Sequence, residues 1–214
     1  MGAADPSREA ADDACRLRVA EVIGELAREQ GLGRATAAEI CLRSGVPRAD
    51  FDRLFPEKGA AVRHAFAAGF DSLFGPVEEA VVAAPSWLEG LAGALDALLK
   101  AAAEHPRLAE LCLLHSLEAR EASAGHDYPA AVAAISALVH AAREHAEADR
   151  RETIAVPPVA EEFLAHGILS RAVHIAERDG KPTTEARRGD LLMLVLMTFF
   201  GTEEAARMCA EVEA

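Results

Sequence analysis

The sequence predicts an all-α protein of about nine helices, and three observations support this fold class. Apolar residues recur at i, i+3, i+4 and i+7 through most of the 214 residues, the pattern of one buried helix face. No segment shows the sustained alternation of apolar and polar residues typical of a half-buried strand. Aromatic residues make up only 5% of a chain that is 51% hydrophobic, so small aliphatic residues suited to close helix packing dominate.

Turn signals divide the N-terminal region into three helices. Apolar periodicity predicts the first helix over residues 8–30. Residues 36–39 have the T-x-x-E spacing of a capping box, which predicts that a second, short helix begins there. The dipeptide Ser44-Gly45 is a turn signal, and Pro47 then opens a third helix that Pro56 closes.

The remainder of the chain predicts six longer helical segments. Their expected ranges are 57–82 with an interruption at Gly75-Pro76, then 86–104, 106–123, 128–149, 159–179 and 184–211. The longest apolar stretch, residues 191–200, is far shorter than the ~20 residues of a membrane helix, so we interpret it as a buried or interface helix. The polar N-terminus has no apolar leader segment, and we expect a cytoplasmic protein.

The charge of the chain is strongly acidic and unevenly distributed. The formal net charge is −13, which by itself argues against a nucleic-acid partner. Residues 1–64, however, carry only −1, whereas residues 65–214 carry −12. The acidic excess therefore lies outside the N-terminal region, and we divide the chain into two domains at this boundary, 1–64 and 65–214.

The sequence contains no motif that indicates an enzyme or a metal site. H-E-x-x-H, E-x-x-H, Walker-type and G-x-S-x-G patterns are all absent. His140 and His145 are five residues apart, about 140° around a helix, which does not suit a shared metal ion. The four cysteines are widely separated and predict reduced thiols rather than a zinc site. We therefore expect no catalytic activity, no cofactor and no bound metal.

Residues 31–58 carry the main functional signal. Two short helices joined by a Ser-Gly turn, the second opening with polar and basic residues, predict a helix-turn-helix. The segment resembles the DNA-binding domain of TetR-like (tetracycline-repressor-like) transcriptional regulators. The matching residues are Thr36, Glu39-Ile40, Gly45-Val46, Pro47 to Phe51, and Phe55-Pro56-Glu57-Lys58. The match covers about 45 residues, from the first helix to Lys58, and the helix count and the ending FFGTEEAARM are also similar to that family.

The resemblance implies roles in DNA binding for residues of this segment. Arg48 and Ala49 would meet base edges in the major groove, and neighbouring polar and basic residues would hold phosphates. The DNA-binding set is Arg34, Thr36, Arg43, Arg48, Ala49, Arg53 and Lys58. Ile40, Val46, Phe51, Phe55 and Leu26 would form the small core that sets the angle of the third helix.

Two carboxylates depart from the family pattern. Asp52 occupies a position where the family usually has a tyrosine that donates to a phosphate, and Asp50 places a second carboxylate in the same helix. Arg48 and Arg53 are spaced to neutralise them at i, i+4 and i, i+3. Two hypotheses follow: a DNA-binding regulator, or a TetR-like ligand-binding or interaction protein that has lost sequence-specific DNA binding.

For the larger domain, the resemblance implies a ligand pocket and a dimer interface. The expected pocket residues are Phe70, Phe74, Trp87, Leu91, Leu95, Leu113, Leu117 and Tyr128. The expected interface residues are Phe163, Leu164, Ile168, Leu192, Val195, Leu196 and Phe199. These implications describe a homodimeric, ligand-responsive, one-component regulator, most often a repressor, that binds a palindromic double-stranded DNA operator. Its effector would be an unidentified small apolar or amphipathic molecule, and no membrane is involved.

Overall fold

The computed structural model describes residues 6–123, 125–157, 159–178 and 184–213, and the regular elements within these ranges are all helical. The fold is therefore all-α, as predicted. The α-helices are α1 (Pro6–Gln30), α2 (Ala37–Ser44), α3 (Arg48–Leu54), α4 (Lys58–Ala83), α5 (Trp87–Glu104), α6 (Pro106–Leu114), α7 (Arg120–Ser123), α8 (Tyr128–Ala148), α9 (Val159–Glu177), α10 (Thr184–Phe200) and α11 (Thr202–Glu213). A 3-10 turn at Ser116–Ala119 lies between α6 and α7.

Three of the predicted helices differ from the structure, and one of them, the helix expected over 106–123, is divided into α6, the 3-10 turn and α7. Helix α4 continues through Gly75-Pro76 instead of breaking there. Because Gly75 has no Cβ to clash with the ring of Pro76, the helical backbone is tolerated before the proline. The single helix expected over 184–211 is instead two helices, since Gly201 adopts a left-handed backbone (φ 76°) between α10 and α11.

The chain forms two compact units, and each unit consists of two segments that are not adjacent in the sequence. The first comprises the chain up to Asp71 together with Arg107–Tyr128, and the second comprises Ser72–Pro106 and the chain from Pro129 onward. This division differs from the expected one at residue 64, because α6 packs closely within the first unit. A Cβ built on Gly69 of α4, for example, would stand only 2.6 Å from the Cys112 Sγ of α6.

Each unit has its own apolar core. In the first unit, fully buried side chains include Ile23 and Leu26 of α1, Ile40 of α2 and Phe66 of α4. In the second unit, α5 contacts α9, α10 and α11, and its apolar face is buried along its length. Ile168 of α9 and Phe199 of α10 also lie in this second core. Among the described residues, none of the helices is long and apolar enough to cross a membrane.

Candidate nucleic-acid interface

Helices α2 and α3 form a helix-turn-helix within the first unit, and local hydrogen bonds define its turns. The Thr36 hydroxyl accepts a hydrogen bond from the backbone N–H of Glu39 at 3.2 Å and so caps α2. Gly45 adopts a left-handed backbone (φ 65°), which ends α2 and turns the chain toward α3. The Val46 N–H donates to the Ser44 hydroxyl at 3.3 Å across this turn. The capping threonine and the glycine turn both lie where the sequence predicts them.

The connection between α1 and α2 is held by two side chains. The amide of Gln30 donates to both carboxylate oxygens of Glu39, at 3.1 and 3.0 Å. The Lys58 ammonium donates to the backbone carbonyls of Leu32 (3.0 Å) and Ala35 (2.7 Å). Lys58 therefore fixes the backbone that leads into α2, and two of its three donors are committed to that task.

A small apolar core sets the position of α3. Leu26, Ile40, Val46, Phe51 and Phe55 are each at most 4% exposed. The rings of Phe51 and Phe55 lie 5.3 Å apart in a tilted arrangement. This core fixes which side of α3 points outward, because a helix with its phenylalanines buried must present the opposite face to solvent.

The outward face of α3 carries the residues expected to meet base edges. Arg48 and Ala49, in the first turn of α3, are both exposed. Asp52 lies one turn further along and is also exposed. Arg34 and Thr36 are exposed on the neighbouring segment. The first turn of α3 is therefore exposed. In helix-turn-helix proteins, the N-terminal residues of the recognition helix are the ones that contact base edges.

Within α3, Arg48 and Asp52 form an ion pair at i, i+4. The Arg48 Nε lies 2.8 and 2.9 Å from the two Asp52 carboxylate oxygens. The side chains of Arg48 and Asp52 remain 60% and 54% exposed. The spacing in the sequence predicts this pair, and the carboxylate bonded to the guanidinium raises the pKa of Arg48.

A second ion pair ties α3 to α1. The Arg53 guanidinium donates to both oxygens of Asp12 at 2.7 Å, and also to Asp50 at 3.3 Å. The hydrogen bond from Arg53 holds the pKa of the Asp12 carboxyl below its ordinary value of 3.8. Arg53 therefore anchors α3 on α1, and its charge is balanced by Asp12 and Asp50.

A third ion pair links α2 to α1. The Arg43 guanidinium donates to both oxygens of Glu29, at 2.6 and 2.9 Å, and to Glu25 at 3.3 Å. The hydrogen bond from Arg43 lowers the pKa of the Glu29 carboxyl from its ordinary value of 4.5. Among the described residues, Arg34 forms no ion pair, so it is the arginine of the predicted set that stays unneutralised.

The carboxylates of α1 that pair with this region are not part of the predicted site. Asp12, Glu25 and Glu29 lie between 14 and 41 residues from their arginine partners. Glu25 and Glu29 are four residues apart, and this spacing, which is visible in the sequence, places both on one face of α1. Which face of α1 meets α2 and α3, however, is set by tertiary packing.

The second unit contains a cleft formed by the end of α4, the start of α5 and the end of α8. Its volume is about 250 Å³. Its lining residues are Val81, Ala84, Pro85, Ser86, Trp87, Gly90, Leu91, Leu138, Ala141, Ala142 and His145. The Trp87 indole N–H donates to Asp149 at 3.1 Å, and the His145 Nδ1 lies 2.6 Å from the Ala141 carbonyl oxygen. Apart from these polar atoms and Ser86, the walls are apolar.

The residues expected to form a ligand pocket divide between the two units. Phe70, Leu113, Leu117 and Tyr128 belong to the first unit, and Phe74, Trp87, Leu91 and Leu95 belong to the second. Trp87 and Leu91 line the cleft. Phe74, Leu95 and Leu113 are at most 4% exposed in their own cores, and the side chain of Leu117 lies outside the described residues.

The expected dimer residues have very different exposures. Phe163 is 71% exposed on α9, whereas Leu164, Ile168, Leu192, Val195, Leu196 and Phe199 are at most 8% exposed within the chain. The exposed apolar residues of α10 are instead Leu194 (44%) and Met197 (40%). On α9, Phe163 shares its outward stripe with Gly167, which has open space around its Cβ position.

Comparison with solved structures supports the fold. No family model matches the sequence, and no curated protein matches it. The fatty acid degradation regulator FadR from Bacillus halodurans superimposes with a TM-score of 0.65 at 16% identity, over 91% of this chain and 97% of that chain. A TetR-family transcription regulator from Shewanella sp. PV-4 gives 0.61 at 14% identity, over 86% and 97%. The ketosteroid transcriptional regulator KstR2 of Mycobacterium tuberculosis gives 0.60 at 18% identity, over 86% and 94%.

These matches extend over most of this chain and nearly all of each regulator. At these identities the similarity is one of fold, and the matched proteins are transcription regulators rather than enzymes. The chain has the all-α fold of the TetR-family transcriptional regulators.

Proposed function

We propose that the protein is a transcriptional regulator that binds double-stranded DNA through α3. The observation that carries this proposal is the exposed first turn of α3, with Arg48 and Ala49 facing outward above a formed helix-turn-helix core. A helix presented in this way fits the major groove, where an arginine pairs well with guanine. Arg34 and the Thr36 hydroxyl are exposed beside it and would contact phosphates.

The ion pairs support a second candidate function. Arg43, Arg48 and Arg53 are each bonded to carboxylates, so the segment offers little uncompensated positive charge to phosphates. Because phosphate neutralisation supplies most nonspecific DNA affinity, a protein with these pairs would bind random DNA weakly. The alternative is therefore a TetR-like ligand-binding or interaction protein without sequence-specific DNA binding.

A binding selection from fragmented genomic DNA distinguishes the two. We expect the protein to enrich a small number of fragments at moderate salt, among them DNA near its own coding region. Arg48→Ala should weaken binding to an enriched fragment by about 1–3 kcal/mol. Lys100→Ala, an equal charge change at an exposed position of α5, is the control and should not alter binding. Failure to enrich any fragment would refute the regulator and favour the alternative.

We further propose that the protein acts as a homodimer. The outward apolar side chains Phe163 of α9 and Leu194 and Met197 of α10 would pair with the same residues of a second copy. Gly167 lies on the same stripe of α9 and would allow the helices to approach closely. A two-fold dimer places two copies of α3 on DNA and requires an operator with palindromic half-sites about one helical turn apart.

For the effector we propose the cleft beside Trp87. Its apolar walls suit an apolar or amphipathic molecule, and its few polar atoms would orient such a ligand. Because a backbone carbonyl can only accept, the His145 Nδ1 carries the proton in this contact, and in the neutral tautomer the other ring nitrogen, Nε2, is an acceptor. The ligand class that fits is a small apolar molecule with a hydroxyl group. Its binding would release or retain DNA by favouring one conformation of the dimer, most simply as the effector of a repressor.

A further inference from the structure

The Arg48–Asp52 pair combines hydrogen-bond donors and acceptors on the exposed face of α3. Only the Nε of Arg48 is used in the pair, and it contacts both oxygens of Asp52. Within the described part of the chain, Arg48 makes no other hydrogen bond, so both terminal guanidinium nitrogens keep their N–H groups for another molecule. Each Asp52 oxygen also keeps a lone pair. The two side chains therefore present donors and an acceptor side by side.

We propose that Arg48 and Asp52 act as one unit that reads a G·C base pair in the operator, with Asp52 as a specificity-determining residue. This inference rests on the proposed DNA-binding function. In the major groove, guanine presents two acceptors, O6 and N7, and its cytosine partner presents the N4 amino donor. The terminal N–H groups of Arg48 match the guanine, and a carboxylate oxygen of Asp52 matches the cytosine amino group.

The pairing also explains how a carboxylate can lie at this position of α3. A lone aspartate near the DNA backbone is repelled by the phosphates, whereas an aspartate bonded to an arginine approaches as part of a neutral unit. The four charges of α3, from Arg48, Asp50, Asp52 and Arg53, sum to zero. Since α3 adds no net charge, its contribution to operator binding comes from base contacts.

The second carboxylate of α3 has a different arrangement, which makes it a matched control. Asp50 bonds to Arg53, and the Arg53 guanidinium is held by both oxygens of Asp12 on α1. The Arg53–Asp12 pair links α3 to α1 without Asp50, and its side chains are 36% and 19% exposed. Asp52 belongs to no such link between helices, so its substitution leaves the position of α3 unchanged.

Selection of binding sites from randomised duplexes tests the proposal with the full-length protein. Wild type should enrich a G·C pair at one position of each half-site. Asp52→Asn should lower the ratio of the affinities for a G·C and a T·A pair at this position about tenfold, because an asparagine amide also pairs with adenine N6 and N7 whereas the Arg48 contacts still favour guanine. Asp52→Ala should weaken the preference for G·C, and Asp50→Asn should keep it at the wild-type level.

The salt dependence of binding provides a second readout. Removing the Asp52 carboxylate frees Arg48 for a phosphate, so Asp52→Ala should bind random DNA more tightly, and its slope of log affinity against log salt should steepen by about one. An unchanged base preference and an unchanged salt slope in folded Asp52→Asn and Asp52→Ala would overturn the inference while leaving DNA binding intact. If wild type selects no DNA at all, the proposed function fails as well, and this result is distinct from DNA binding without a G·C preference.

Discussion

Gly24 of α1 lies directly against the backbone carbonyl of Arg107 on α6. A Cβ built on Gly24 would stand 2.7 Å from the Arg107 carbonyl oxygen and 3.0 Å from the carbonyl carbon. Real Cβ atoms do not approach backbone atoms this closely, and a backbone carbonyl within a helix cannot move aside as a flexible side chain does. The absence of a side chain at residue 24 therefore sets how closely α1 and α6 pack in the first unit.

Substitution of Gly24 should destabilise the protein. We expect Gly24→Ala to lower the free energy of unfolding by about 1–3 kcal/mol, the usual cost of forcing extra atoms into a packed region. Urea denaturation followed by circular dichroism measures this change.

Gly93→Ala is the matched control for this substitution. Gly93 lies within α5, and its Cβ would meet only the Ala80 Cβ at 3.5 Å, an ordinary contact. Alanine should therefore be neutral or stabilise by about 0.5–1 kcal/mol, because it favours a helix over glycine. Equal effects of the two substitutions would contradict the proposed importance of the α1–α6 contact.

The ion pairs between α1 and the helix-turn-helix predict a loss of stability at acidic pH. Their arginine partners hold the pKa values of Asp12 and Glu29 below the ordinary 3.8 and 4.5. A carboxyl whose pKa is lowered by folding stabilises the protein fully above its unfolded pKa, and this contribution disappears as the pH falls through the folded pKa. The contribution should thus be complete above about pH 5 and decrease as the pH falls below 4.5.

A double variant, Asp12→Asn with Glu29→Gln, tests this prediction. Its free energy of unfolding should lie below that of wild type at pH 7, and the two curves should converge at the acidic end. Urea unfolding at pH 7, 5, 4 and 3 measures the difference. Replacing the cationic partners with Arg43→Gln and Arg53→Gln should reduce the pH dependence in the same way. A difference that stays constant from pH 7 to pH 3 would show that these pairs do not titrate as described.

The proposed dimer surface predicts the effect of polar substitutions on mass in solution. Phe163 is 71% exposed, so Phe163→Ser removes apolar surface without creating a cavity in the core. We expect light scattering to show a dimer for wild type at micromolar concentration and a shift toward monomer for Phe163→Ser combined with Met197→Ser. Leu42→Ser, at an 83% exposed position of α2, is the control and should remain dimeric. A monomeric wild type would refute the dimer.

The cleft can be tested through its tryptophan, because Trp87 is the only tryptophan in the chain. Titration with 1-octanol, an apolar probe with one hydroxyl group, should shift the fluorescence of Trp87 in a saturable way. Ala141→Leu should weaken this response by filling the cleft. Ala133→Leu, an exposed substitution outside the cleft on the same helix, should leave it intact. A non-saturable response, or one that Ala141→Leu does not alter, would argue against binding there.

Features that depend on neighbouring residues were predictable from the sequence. The Thr36 cap, the Gly45 turn and the Arg48–Asp52 pair each follow from residue types at short spacing, and the structure contains all three. The buried positions of Phe51 and Phe55 are those that the family resemblance implies.

Features that depend on the docking of distant helices were not predictable. Apolar periodicity identifies α10 as a largely apolar helix but does not show which residues face inward, and the structure buries Leu192 and Leu196 while exposing Leu194 and Met197. The pairing of Arg53 with Asp12 requires the register of α1 against α3, which a single sequence does not contain. The close approach of α6 to α1 likewise depends on how two helices that are distant in the sequence pack against each other.

Residues Arg107–Tyr128 belong to the first unit, although the segment before them, Ser72–Pro106, belongs to the second. This order has a consequence for synthesis of the protein. A chain emerging from the ribosome can form α1 to α3 early, but the partner of the Gly24 surface is made more than eighty residues later. The first unit completes its fold only after the whole of α5 has been translated. Until then the α1 surface that α6 covers is exposed, and nascent chains halted before residue 107 are expected to be the most susceptible to proteolysis and to chaperone binding.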